Sequence, residues 1–249
     1  MSTRFISKVN SWLKNIQYCV LPGTCINCNK ASERHYDLCL NCENLFPRIR
    51  DPCISCGLPL PVNNYDGHLC GNCIISPPPY RHIISAFNYA EPINQLIGAF
   101  KYQGRLAYGK VLSQQLLRLV LSVYDKRTFP ELLIPMPLHI RRLQHRGFNQ
   151  SLEISRYLST RLNIPQNINI CYRNRNTLKQ EGLTARARKK NLRGAFSIRQ
   201  DFQCLPRSVA IIDDVVTTTA SVQELAFLLL DHGVEDIHIW SLARACRKL

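Results

Sequence analysis

The sequence predicts an α/β protein, a mostly parallel sheet covered by helices on both faces, placed behind a cysteine-rich metal module. Three observations carry that expectation. Four C-x-x-C pairs stand before residue 74, apolar strands alternate with amphipathic helices from residue 82 onward, and "IIDDVVTTTAS" at 211–221 delivers two acids to a run of small hydroxyl residues. Strand–helix alternation of this kind builds parallel sheets buried on both faces.

The 249 residues suffice for one large domain and a small one. A net charge of +15 directs attention to polyanionic partners: nucleic acid, phosphorylated metabolites or an anionic membrane surface. "MSTRFISKVNSWLKNIQYCV" at the start has no continuous apolar core and no small-residue cleavage site, so it does not read as a secretory signal. No uncharged run is long enough to span a bilayer. The expected location is therefore the cytoplasm, where thiols stay reduced. Within that N-terminal stretch Phe5, Val9, Trp12, Leu13 and Ile16 share one helical face, with Lys8 and Lys14 away from it. Packing against the rest of the protein is expected, with membrane contact as the alternative.

Nine of the twelve cysteines precede residue 74, which divides the chain in two. Three consecutive prolines in "IISPPPYRH" (74–82) end any regular element and mark the boundary. The expected units are residues 1–76, an N-terminal helix with a metal module, and residues 77–249. The knuckles are Cys25 and Cys28, Cys39 and Cys42, Cys53 and Cys56 (followed by Gly57), and Cys70 and Cys73. Each tight turn offers two thiolates, and two knuckles complete a tetrahedral S4 site, so two structural zinc ions are expected. Gaps of ten and thirteen residues separate the knuckles of sequential pairs. Sequential ribbons are the simplest pairing, a cross-braced one is possible, and a disulfide scaffold is the competing reading. Cys19, Cys171, Cys204 and Cys246 have no partner at ligand spacing and are expected as small buried residues.

The second unit reads element by element. "HIISAFNYA" (82–90) has strand character, and residues 91–101 and 105–124 are helical by period. "ELLIPMPL" (131–138) is a short buried strand, 149–162 an amphipathic helix, and "INICYR" (168–173) another strand. "SVAIIDD" (208–214) is strongly apolar, "ASVQELAFLLLDHG" (220–233) is a helix ending in Gly233, and "DIHIWSLAR" (236–244) closes the set.

In a strand–loop–helix unit ligands bind beyond the C-terminal strand end, where the helix N-terminus offers unpaired N–H groups suited to a phosphate. Two carboxylates before such a loop repel a phosphate. They fit a ligand that also carries vicinal hydroxyls or a divalent metal about one sugar away. The bland alternative for Asp213 and Asp214 is an acidic pair that merely complements the helix dipole.

At this point the sequence resembles a family. "VAIIDDVVTTTAS" is similar to the phosphoribosyl-pyrophosphate motif of type I phosphoribosyltransferases. Together with "IPMPLHIRRLQHRGFNQS" (134–151), "RNTLKQEGLTARARKKNLRGAF" (175–196) and the knuckles, nearly the whole chain resembles the ComF/GntX family of bacterial competence and DNA-utilisation proteins. The resemblance implies a type I phosphoribosyltransferase-like sheet behind a double zinc ribbon. It implies that Asp213 and Asp214 hold the ribose hydroxyls and, directly or through water, Mg2+, while Thr217, Thr218, Thr219, Ala220 and Ser221 wrap the 5-phosphate. Two departures stand out. Thr219 occupies the place of the family's glycine, so a positive φ there would strain a β-branched residue by roughly 1–2 kcal/mol. Thr217 stands where purine-salvage enzymes carry a carboxylate base, which argues against purine salvage.

Between Ile134 and Gln200 fourteen Lys and Arg face two acids, Glu153 and Glu181. One cluster, Arg141, Arg142 and Arg146, follows a strand end and is suited to a pyrophosphate. A second, Arg186, Arg188, Lys189, Lys190 and Arg193, lies in a segment expected to be an active-site loop. A single small ligand does not need fourteen cations, whereas a nucleic-acid backbone does, so single-stranded DNA is the expected partner. Tyr157, Phe148, Tyr172 and Phe196 are candidate stacking residues, and a solvated basic face is the plain alternative. By resemblance the partners extend to a DNA-uptake helicase or recombination mediator. The rival functions are an active phosphoribosyltransferase of unknown acceptor and a regulator that senses phosphoribosyl pyrophosphate.

Overall fold

A computed structural model describes residues 23–60, 69–124, 128–175, 194–202 and 204–246. The N-terminal apolar face, Cys19 and the basic cluster from Arg186 to Arg193 lie outside the described residues. Four strands make the central sheet: β1 (His82–Asn88), β2 (Leu132–Pro135), β5 (Ser208–Val216) and β6 (Asp236–Arg244). Their order is β1-β6-β5-β2 and every pairing is parallel. All four C-terminal ends therefore reach the same edge.

Alternation sorts the strand residues between two cores, as expected where both faces are buried. Ile84, Ala210, Ile212, Trp240 and Leu242 face three helices: α3 (Ile93–Gln103), α4 (Leu106–Val123) and α6 (Gln150–Leu162). Ile83, Val209, Ile211, Ile237 and Ile239 face α7 (Ala220–Leu230). Helix α3 buries Ile93, Leu96, Ile97 and Phe100, one stripe at helical spacing. It lies so close to α4 that a Cβ on Gly109 would stand 2.4 Å from the Phe100 ring, so glycine is required at the crossing.

Both edges of the sheet are covered, which removes exposed ladders that would template aggregation. Ile83 and Asn88 on β1 donate their N–H groups to the Ser55 carbonyl at 2.8 Å and the Pro47 carbonyl at 2.7 Å. On β2, the Leu133 N–H donates to the Pro165 carbonyl and the Leu133 carbonyl accepts from the Asn167 N–H. The cysteine module thus lies along one edge, with short helices α1 (Leu40–Leu45) and α2 (Gly71–Ile75) in its two halves.

Two expectations need correction, and one short helix is an addition to them. The strand read at 168–173 shortens to β3 (Cys171–Arg173) and leaves the main sheet, pairing antiparallel with β4 (Phe196–Ile198). Its residues find their partners in that small second sheet rather than beside β2. Residues 140–146, charged and too short to show a period, form helix α5 (Ile140–Arg146). Cys171 is buried as expected, but Cys204 and Cys246 are exposed, because they sit in connecting chain before β5 and after β6 rather than inside an element.

Candidate functional site

The eight knuckle cysteines come together as two sets, Cys25, Cys28, Cys39 and Cys42, then Cys53, Cys56, Cys70 and Cys73. Within each set the four sulfurs lie within 4.8 Å of one another. The pairing is therefore sequential, and the cysteines are free rather than disulfide-bonded. Cys28 and Cys39 sulfurs are 3.8 Å apart, and those of Cys56 and Cys70 are 3.6 Å apart. A tetrahedron with Zn–S bonds of about 2.3 Å has an edge of about 3.8 Å, so the thiols fit zinc.

The knuckle turns explain the fit. The residue after each first pair adopts the left-handed conformation, Asn29 at φ 59° and Gly57 at φ 69°. Burial works against the Cys25 thiolate, but backbone N–H groups of Cys39, Cys28 and Asn27 bring its pKa down to about 7. Cys53 reaches about 7 in the same way, against burial, through the N–H groups of Cys56, Cys70 and Ser55. The first ribbon is fastened to α4 through Glu43, which accepts from Tyr36 at 2.7 Å and Arg118 at 2.6 Å and also pairs with Arg34.

At the C-terminal end of the sheet, β5 presents Asp213 and Asp214. Asp214 is 8% exposed and pairs with Lys101 of α3 at 2.9 Å. Burial lowers the Lys101 pKa, but Asp214 more than offsets it, so the amine stays charged. Asp213 accepts from the Ser151 hydroxyl at 3.2 Å and from the Asp214 N–H at 2.9 Å. Burial first, and the adjoining Asp214 carboxylate second, push Asp213 up to about 7.

Ser151 is delivered by the R-G-F-N-Q-S segment, whose local role is now clear. Gly147 ends α5 in the left-handed conformation, and Asn149 caps α6 by accepting from the Ser151 N–H at 3.0 Å. Asn149 also donates to the Met136 carbonyl at 3.1 Å, tying this turn to the end of β2.

The loop after β5 turns at Thr219, with φ 62° and ψ −7°, the left-handed geometry in which a β-branched residue is strained. Its hydroxyl donates to the Thr218 carbonyl at 2.6 Å. Thr217 is exposed, and Ala220 and Ser221 form the first turn of α7, which has no side-chain cap. The Thr218 hydroxyl is buried and finds no hydrogen-bond partner among the described residues.

Arg141, Arg142 and Arg146 lie on α5, just beyond the C-terminal end of β2. Arg141 is exposed, while Arg142 is half-buried. Arg146 stacks over Tyr102 at 5.1 Å and donates to Gln150 at 2.8 Å. Two cations escaped the sequence reading. Lys101 is one, hidden as a single lysine at the end of an amphipathic helix. The other is Arg173 on β3, whose pKa falls to about 10 through burial, reinforced by Arg142 and opposed by Asp213. An arginine inside an otherwise apolar strand was the available signal. Of the candidate stacking aromatics, Phe196 is core and Phe148 packs on Phe100 at 5.5 Å, whereas Tyr172 stays 42% exposed.

Sheet, edge and knuckles together define a class: an α/β protein with a parallel sheet flanked by helices and carrying a double zinc ribbon. Residues 16–74 match the family model described as a double zinc ribbon domain. The chain is 40% identical over 187 residues to competence protein F of Haemophilus influenzae, covering 73% of this chain and 80% of that protein. It is 37% identical over 179 residues to the DNA utilization protein YhgH of Escherichia coli (strain K12), covering 70% and 77% respectively. Among solved structures, the glutamine phosphoribosylpyrophosphate amidotransferase of B. subtilis aligns at 15% identity with a TM-score of 0.34, over 54% of this chain and 26% of that chain. The chain belongs to the ComF/GntX family of competence and DNA-utilisation proteins. Among the described residues no helix is long and apolar enough to cross a membrane.

Proposed function

We propose that this protein binds phosphoribosyl pyrophosphate at the C-terminal edge of its sheet and handles incoming single-stranded DNA along the basic surface beside it, in the cytoplasm during natural transformation. The observation that carries the reading is the juxtaposition at the end of β5. Two acids, one paired with Lys101 at 2.9 Å, are followed by a left-handed turn that opens onto the uncapped first turn of α7.

In this reading Asp213 and Asp214 accept from the ribose hydroxyls. The chain from Thr217 to Ser221 holds the 5-phosphate through backbone N–H groups and hydroxyls, and the buried Thr218 hydroxyl gains the partner it lacks. Arg142, Arg146 and Arg173 share the pyrophosphate charge. The carboxylate oxygens suit Mg2+, but Lys101 already engages one oxygen of Asp214. The ion would therefore be held largely through the ligand's own oxygens and water, and it supplies neutralisation of the pyrophosphate. The zinc ribbons are structural, since four thiolates leave no open position. Residues 1–76 form the ribbon module and 77–249 the phosphoribosyltransferase-like domain. The names of the relatives support a role in competence and DNA utilization, and a DNA-uptake helicase or recombination mediator is the onward partner in this reading.

A second reading, an active transferase of unknown acceptor, draws on Arg142 and Arg173 acting electrostatically on one another beside Asp213. Release of pyrophosphate in the presence of an acceptor would distinguish it. The test of the shared step is thermal. A ligand at a hundred times its Kd stabilises the native state by about 2.7 kcal/mol. For a chain of this size that is roughly 5–10 °C in Tm. Phosphoribosyl pyrophosphate with Mg2+ should produce such a shift, and Asp213→Ala with Asp214→Ala should abolish it while the protein remains folded. A shift that survives the double change would make the acids structural.

A further inference from the structure

We propose that Arg244 is a positioning residue that couples the second zinc ribbon to the phosphate loop, so that the loop holds its binding shape only while that ribbon is metallated. The inference rests on the reading of residues 217–221 as a phosphate site.

Arg244 is the last residue of β6 and is 3% exposed. Its Nε donates to the Cys56 carbonyl at 2.8 Å, inside the second ribbon's knuckle. Its Nη1 donates to the Val216 carbonyl at 3.0 Å, to the Ala245 carbonyl at 3.0 Å, and to the Thr217 carbonyl. One side chain therefore joins a zinc knuckle to the two residues where β5 gives way to the loop. Val216 is gripped twice, since its carbonyl also accepts from the Ala245 N–H at 2.9 Å. Tyr80, itself buried, adds a second strut: its hydroxyl meets the Thr219 side chain, and it too lies close enough to Cys56 and Cys73 to feel their charge.

Carbonyl partners engage the guanidinium through Nε and Nη1 but do not neutralise it. Among the described residues no carboxylate forms an ion pair with Arg244, and a buried unpaired charge is costly. The counter-charge available next to it is the metal site. Four thiolates around one divalent zinc leave a net formal charge of about −2. Metallation thus both shapes the Cys56 carbonyl's turn and neutralises the arginine that reaches it. The knuckle itself is seated without slack, for a Cβ on Gly57 would stand 3.1 Å from the Ile83 carbonyl. Loss of zinc would release the turn and the counter-charge together, and the Val216–Thr217 carbonyls would lose their fixed donor.

Coupling of this kind is reciprocal: if zinc favours the ligand, the ligand must favour zinc. The experiment uses the full, zinc-loaded chain with two readouts, affinity for phosphoribosyl pyrophosphate with Mg2+ by calorimetry and zinc transfer to a chromogenic chelator. In the parent, saturating ligand should slow the release of one of the two zinc ions and leave the other unchanged. Arg244→Gln should retain both ions, weaken the ligand by about tenfold, a coupling of ordinary size, and remove the ligand's effect on zinc release. Arg244→Lys, which keeps the charge but not the fork, should fall between. Should Arg244→Gln fail to fold, Tyr80→Phe removes only the hydroxyl strut and should weaken the ligand by a smaller factor. A parent that binds while either folded variant binds equally well, with zinc release indifferent to ligand, overturns the coupling alone. A parent that binds no ligand overturns the phosphate-site reading and the coupling with it.

Discussion

Thr219 offers a test in which a single Cβ is the variable. The residue turns the loop at φ 62°, its hydroxyl donates to the Thr218 carbonyl at 2.6 Å, and it meets Tyr80. Comparing Thr219→Gly with Thr219→Ala cancels the hydroxyl and both its contacts, since each variant lacks them. What differs is a Cβ in the left-handed region, which costs roughly 1–2 kcal/mol, against the greater unfolded-state freedom of glycine, which costs roughly 0.5–1 kcal/mol. Glycine should therefore be the more stable replacement, by about 0.75 kcal/mol at the midpoints of those ranges. In a chain of this size that corresponds to roughly 1–4 °C in Tm. Urea unfolding of the two variants side by side is the assay, read from midpoints at an unchanged slope. An alanine variant equal to or more stable than the glycine variant would refute the claim that the loop is strained at this residue.

The cysteine sets should yield about two zinc ions per chain on metal analysis, and Cys56→Ser should lose about one of them and lower the melting temperature; purified protein with intact thiols and no zinc would contradict the ribbon assignment. Asp213 carries a native pKa raised from 3.8 to about 7 by burial and Asp214, so the native state binds a proton there that the unfolded chain has released. Its contribution to stability is accordingly full below about pH 4 and is lost as pH rises through about 7. Asp213→Asn should flatten that decline in denaturation measured across pH 4–8, and a decline of unchanged steepness would show that Asp213 is not its source.

Much of this was legible because the physical signals were local. C-x-x-C turns announce metal ligands by spacing alone, and β5 and β6 are apolar enough that their burial on both faces can be read residue by residue. Knuckle pairing was not legible, because both sequential and cross-braced connections satisfy the same spacings; only the convergence of Cys25, Cys28, Cys39 and Cys42 decides it. Lys101 and Arg173 were missed for a similar reason. Each is a lone cation whose meaning comes from an acid or arginine more than 30 residues away in the chain, Asp214 and Arg142. Arg244 lies at the end of a strand read to its last residue, yet nothing in "DIHIWSLAR" reveals that its side chain turns back to Cys56. Short elements failed for want of a period: α5 spans under two turns, and β3 is three residues that pair outside the main sheet.

The central claim, that a phosphoribosyl-pyrophosphate scaffold handles single-stranded DNA, is tested most directly by the salt dependence of DNA binding. Single strands of unrelated sequence should bind with similar affinity, falling with salt at a log–log slope of about −0.7 per phosphate contact. Replacing Arg186, Arg188, Lys189 and Lys190 with alanine should flatten that slope by roughly 2–3 units at nearly unchanged stability. Transformation of a competent host should fall in parallel. If DNA binding and transformation are instead untouched while turnover of phosphoribosyl pyrophosphate collapses, these cations serve an enzyme's active-site loop and the DNA-handling account is contradicted.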